Sequence, residues 1–154
     1  MDPGVGAIIA VADRSVVLSS RTYTVSGPGS MGQRLAVVEL TPVSPSGTSA
    51  TLIQLDENDR FRTNVGVMNL ADEAAEVTLS ASFGEWHLLG SVRVTLPPHS
   101  HRQLSDLLRS FGAGTVDAVY VRVTVPPQGR VIPYVSVVDN STRDPTFIPA
   151  RRMP

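Results

Sequence analysis

Residues 118–125 read Ala-Val-Tyr-Val-Arg-Val-Thr-Val, and this alternation decides the fold. Successive side chains of an extended chain point to opposite faces. Val119, Val121, Val123 and Val125 therefore share one face, while Tyr120, Arg122 and Thr124 share the other. Such a segment is a strand with one buried and one wet face. Val77, Leu79 and Ala81 repeat the alternation.

Outward from this strand, the chain carries 22 valines in short runs broken by Pro, Gly, Ser and Asn. That is the pattern of many short strands. Strands are predicted over residues 7–12, 15–24, 33–38, 50–55, 61–69, 76–83, 90–96, 118–125, 131–139 and 146–148. Number and spacing point to an all-β protein, an immunoglobulin-like antiparallel β-sandwich. One segment departs from the pattern. From Ser100 the order Ser-His-Arg-Gln offers an N-cap with Gln at the third helical position. Leu104, Leu107, Leu108 and Phe111 follow as an apolar stripe at helical spacing. A short crossover helix is predicted over about 101–111, stopped by Gly112 and Gly114 and plugging one end of the sandwich.

Residues 27–29 and 41–49 are rich in Pro, Ser and Gly and read as loops. Beyond the second loop, residues 56–154 are of the size of one complete sandwich. Residues 1–55 hold too few strands for a core of their own and read as an incomplete β segment. Residues 7–12 and 14–24 resemble residues 119–125 and 130–140 in pattern, so the first half reads as the closing hairpin of a preceding module.

The 154 residues carry 13 basic and 14 acidic side chains, a net charge of -1. A chain without a basic stripe has no counterion-release drive toward nucleic acid. No apolar run approaches bilayer length, which argues against membrane insertion. Without cysteine there is no disulfide framework and no thiol nucleophile. No nucleophile elbow, zinc-protease helix or phosphate loop is present, so no enzyme activity and no cofactor are implied.

The chemistry-bearing residues each admit two readings. Asp139, Asn140, Thr142 and Asp144 are oxygen-rich enough to wrap calcium, and equally suited to building a turn. His87, His99 and His101 are imidazoles at no diagnostic metal spacing. Arg62 and Asn64 alternate with Phe61, Thr63 and Val65 on one strand. Arg62 or Arg21 is expected to pack on the 139–144 loop and fix the closing strand, where a buried bidentate contact to carboxylate would be a specificity device. A glycan platform made of Trp86, Arg62 and Asn64 is the functional rival.

Phe61–Asn69 (FRTNVGVMN), residues 96–104 (LPPHSHRQL) and residues 134–149 (YVSVVDNSTRDPTFIP), with residues 19–23 (SSRTY) and Gly32-Gln33, resemble a known pattern. It belongs to the β-rich tandem immunoglobulin-like repeats near the C-termini of large exported bacterial proteins. The resemblance spans nearly the whole chain, and its closing SVVDN.T.DP motif is the most specific part. It implies export to the cell surface or beyond, with any signal peptide outside this chain, and a noncatalytic structural, adhesive or accessory role. Arg21, Arg62, Asn64, Asn69, Asp139, Asn140 and Asp144 then have architectural roles. It implies neither a ligand nor catalytic residues. His99, His101 and Arg143 depart from the pattern, where Gly or an aromatic is more common. The expected partners are neighbouring modules or other copies of the chain, joined through the N-terminal hairpin, with a glycan as the alternative.

Overall fold

The computed structural model describes residues 8–26, 29–35, 49–85, 87–126 and 129–152. The strands are β1 (Ser20–Ser26), β2 (Gly29–Leu35), β3 (Ser49–Glu57), β4 (Phe61–Asn69), β5 (Ala75–Phe83), β6 (His87–Leu96) and β7 (His101–Leu104). After a one-turn helix α1 (Leu107–Ser110) come β8 (Val116–Thr124), β9 (Val131–Asp139), β10 (Pro145–Pro149) and β11 (Arg151–Arg152). One sheet has the order β10-β9-β4-β7 and the other β11-β3-β8-β5-β6, and every neighbouring pair is antiparallel. The protein is an all-β sandwich. When β3 to β9 are set against the seven immunoglobulin strands, the B–E and C–F pairings survive as β4–β7 and β5–β8. The first, fourth and seventh strands have changed sheets: β3 lies beside β8, β6 beside β5, and β9 beside β4.

The core forms where the two inner faces meet. Val119, Val121 and Val123 of β8 are buried, as are Val77, Leu79 and Ala81 of β5, and they face Val65, Val67, Val131 and Val135 of the other sheet. Arg122 and Thr124 are exposed, so the alternation read from residues 118–125 has the expected phase.

Strand β3 keeps no single phase. Gln54 has φ 62, and the register with β8 slips between Leu52 and Leu55. One extra residue is accommodated there as a bulge, which turns the following side chains over. Ala50 and Leu52 face inward before the bulge, and Leu55 and Glu57 face inward after it. A carboxylate is thereby carried into the core. A second slip follows near Ala118, at φ 54, whose N–H is taken up by Asp56 Oδ1 at 2.9 Å.

The helix prediction needs correction. Residues 101–104 are a strand, pairing Met68 with His101 and Val65 with Leu104, and only Leu107–Ser110 is helical. The capping box does not form; Ser100 Oγ donates to Pro97 O at 2.7 Å. Local propensity lost to pairing, because β4 needs a partner on that side and an unpaired central strand would strand its backbone groups. Leu107 and Leu108 still reach the core, and Phe111 lies against Gly90 of β6. The short helix thus plugs the sandwich end, and Gly112 at φ 80 terminates it.

The N-terminal reading also changes. Residues 8–19 form no strand, and β1 and β2 pair only with each other among the described strands, with β2 running near β10. The hairpin is therefore 20–35, not 7–24, and residues 8–12 have no structural likeness to the core strand β8. The predicted strand end at 36–38 and most of the 41–49 loop lie outside the described residues. A boundary at residue 56 would cut through β3, an internal strand between β11 and β8; the sandwich takes in the chain from Ser49.

Candidate functional site

Polar residues concentrate where β3 and β9 end, β4 begins and the β7–α1 turn starts. Arg62 and Asn64 share the outer face of β4, opposite Val138 and Ser136 of β9. Arg62 Nη1 donates to Asn140 Oδ1, and its Nε lies 4.0 Å from Asp106 Oδ1. Asn64 Oδ1 accepts from Asp106 N at 3.1 Å, holding Asp106 in the left-handed region (φ 50, ψ 42) that starts α1. Arg62 thus packs on the 139–144 loop, through the Asn140 amide in place of a loop carboxylate. Asp139 is taken instead by Arg60, through Nε at 3.2 Å, a residue the sequence reading passed over. Arg21 sits on β1 with its guanidinium 5.6 Å from the Tyr23 ring centroid.

The 139–144 loop is built by its own side chains. Asp139 Oδ1 accepts from Ser141 N (2.8 Å) and Thr142 N (3.2 Å), and these two backbone bonds hold its carboxyl below the usual carboxylate range. Asn140 Nδ2 donates to Asp59 O at 3.2 Å, while Asp144 O accepts from Asp139 N at 3.0 Å. These oxygens close turns and tie β9 to the β3–β4 corner. Among the described residues, no three His, Asp or Glu side chains converge as a metal site. The histidines are dispersed: His99 Nε2 meets Asp72 Oδ1 at 2.8 Å, His101 meets Tyr134, and His87 packs beside the Phe83 ring. Trp86 lies outside the described residues.

Two features escaped the sequence reading. The first is Glu57, fully buried, with Oε2 accepting from Thr63 N at 3.2 Å and Oε1 3.3 Å from Arg109 Nη2. That ion pair lacks hydrogen-bond geometry, and Asp106 Oδ1 is likewise buried without a hydrogen bond. The sequence signal was the three-residue step from Leu52 to Leu55, too long for a regular strand. The second feature is a row of rings on the outer face of the four-stranded sheet. Tyr134 of β9 reaches across Gly66 of β4 to His101 of β7, whose Nε2 lies 2.9 Å from the Tyr134 hydroxyl. Phe147 of β10 follows on the other side, its centroid 5.3 Å from that of Tyr134. Burial pushes the Tyr134 hydroxyl pKa up.

A Cβ at position 66 would stand 2.1 Å from two Tyr134 ring carbons. Gly66→Ala is therefore expected to lift the ring from the sheet, cost about 1 kcal/mol, and break the contact with His101. Thermal melts and the His101 side-chain NMR signals report both effects.

Fold and polar framework together define an antiparallel β-sandwich whose strand ends are tied by side-chain to backbone hydrogen bonds. It is similar to the crystal structure of Thermotoga maritima 1070, with a TM-score of 0.53 and 14% identity over 69% of this chain and 91% of that one. At that identity the likeness establishes the fold and nothing finer. No family model matches the chain, and no curated protein matches its sequence. No helix among the described residues is long and apolar enough to cross a membrane.

Proposed function

We propose that this chain is a noncatalytic structural or adhesive β-sandwich module of an exported bacterial protein, and that copies or neighbouring modules associate through its N-terminal segment. One observation carries the reading. Residues 8–19 form no strand, yet they include Ile8, Val11, Val16 and Val17, with Ile8 and Val11 exposed to 92% and 91%. A β-branched, solvent-facing run outside any sheet offers apolar side chains and unpaired backbone groups, and such segments pair with whatever edge is offered. The framework supports the noncatalytic part: Asn64, Asn69, Asp139 and Asn140 spend their polar atoms on turns and strand ends. The repeat-like motifs support the exported setting.

Multi-angle light scattering tests the association. The intact chain is expected to exceed monomer mass increasingly with concentration, and a chain lacking residues 1–19 to stay monomeric with an unchanged melting temperature. A strictly monomeric intact chain at high concentration defeats the association.

A further inference from the structure

The row of rings has the attributes of a ligand platform. The registers place His101 beside Met68, Gln103 and Tyr134 beside Gly66, and Phe147 beside Ser136, all on the outer face of the four-stranded sheet. The His101 and Tyr134 rings lie 5.8 Å apart and 9° from parallel; Tyr134 and Phe147 lie 5.3 Å apart and 30° from parallel. The close approach at Gly66 presses the Tyr134 ring onto the β4 backbone. Its hydroxyl, between His101 Nε2 at 2.9 Å and Gln103 Oε1 at 3.5 Å, fixes the ring's reach. The three rings therefore form a stacked row across the outer face of this sheet, from β7 to β10, with centroids 5.8 and 5.3 Å apart.

We propose that this strip binds a neutral, linear oligosaccharide, with successive sugar rings seated on His101, Tyr134 and Phe147. Sugar rings present C–H faces that pack on aromatic faces, and a row of rings at one-ring spacing offers such contacts in succession. Among the described residues, Asn64, Gly66, Met68, Gln103, Ile132 and Ser136 surround the rings without a full charge, and Arg62, next along β4, is engaged by Asn140 and Asp106. That favours a neutral glycan over an acidic polysaccharide or nucleic acid. The Gln103 amide nitrogen supplies a donor for hydroxyl groups beside the rings. A ring already held by a glycine and two polar neighbours has little conformational freedom left to lose on binding. This site is separate from the N-terminal segment and does not depend on association through it.

The test is titration of the intact chain with cellohexaose, xylohexaose, laminarihexaose and mannohexaose, followed by calorimetry and by amide NMR shifts. At least one sugar is expected to bind saturably, with shifts centred on Gly66, His101, Gln103, Tyr134 and Phe147. Phe147→Leu, which keeps apolar volume at the edge strand but removes the flat face, should weaken binding roughly three- to tenfold. His101→Ala should do the same, and the amide spectrum of each variant establishes that it is folded. The proposal is overturned if no sugar binds at millimolar concentration, if the shifts map elsewhere, or if binding survives both substitutions and is lost in Trp86→Ala.

Discussion

Asn69→Leu is expected to destabilise the sandwich by about 3–4 kcal/mol, read as a lower urea midpoint with an unchanged denaturant slope. Asn69 ends β4 and is fully buried. Its Nδ2 lies within hydrogen-bond distance of Glu73 O (2.8 Å), Pro97 O (3.0 Å) and Leu96 O (3.3 Å), and its Oδ1 accepts from Ala71 N at 3.0 Å. One amide thus joins the end of β4, the turn that follows and the end of β6. Leucine fills the volume but leaves a donor and several carbonyls without partners, each costing about 1–3 kcal/mol when shut off from water. Some of that cost is relieved where Glu73 and Pro97 approach the surface, which keeps the total below the simple sum. Asn69→Asp separates the donor role from the acceptor role. Its carboxylate can still accept from Ala71 N but faces carbonyl oxygens, which raise its folded pKa. The protonated acid can donate to one of them, so this variant should be closest to the parent in acid and lose stability as pH rises.

The resemblance singles out Asn69, and the structure supplies the reason: it closes a buried alternation, Thr63, Val65, Val67 and Asn69, in a strand that lies at the residues predicted. Strand β9 was legible for the same reason. Where a strand is regular, the phase of its apolar residues tells which side chains meet the core. Legibility failed where long-range pairing outvoted local pattern. Residues 101–104 carry a respectable helix start, but the vacant side of β4 claimed them, and nothing within the segment announces that vacancy. The bulge at Gln54 was invisible because a polar residue at positive φ leaves only a displaced leucine as its trace. The ring row was hidden for another reason: His101, Tyr134 and Phe147 come from three strands, and only the register joins them. Gly66 was the available clue, since a lone glycine inside a strand marks a place where something comes close to the backbone.

Arg109→Ala is expected to cost about 2 kcal/mol at neutral pH and much less near pH 4. Glu57→Gln should nearly remove that pH dependence. Burial pushes the Glu57 carboxyl above its ordinary range, the Thr63 N–H and Arg109 pull it back, Asp106 pushes it up, and Arg62 pulls it down. A carboxyl whose pKa is higher in the folded than in the unfolded state binds its proton more tightly when folded. Its contribution to stability is therefore fully present below the unfolded pKa and is lost as pH rises through the folded one. Removing Arg109 takes away a cation 3.3 Å from Glu57 Oε1, raises the folded pKa further and widens that window. The expected cost stays below the 3–5 kcal/mol of a fully buried broken pair, because the Arg109 side chain is 60% exposed and water screens it. Gln at position 57 still accepts from Thr63 N and carries no charge to strand, so Arg109→Ala in the Glu57→Gln background should cost little at any pH. Urea titrations of the parent, both single variants and the double variant between pH 4 and pH 8 give the coupling directly. A sizeable coupling that stays constant across that range would mean that Glu57 remains ionised throughout, and one near zero throughout that it remains protonated.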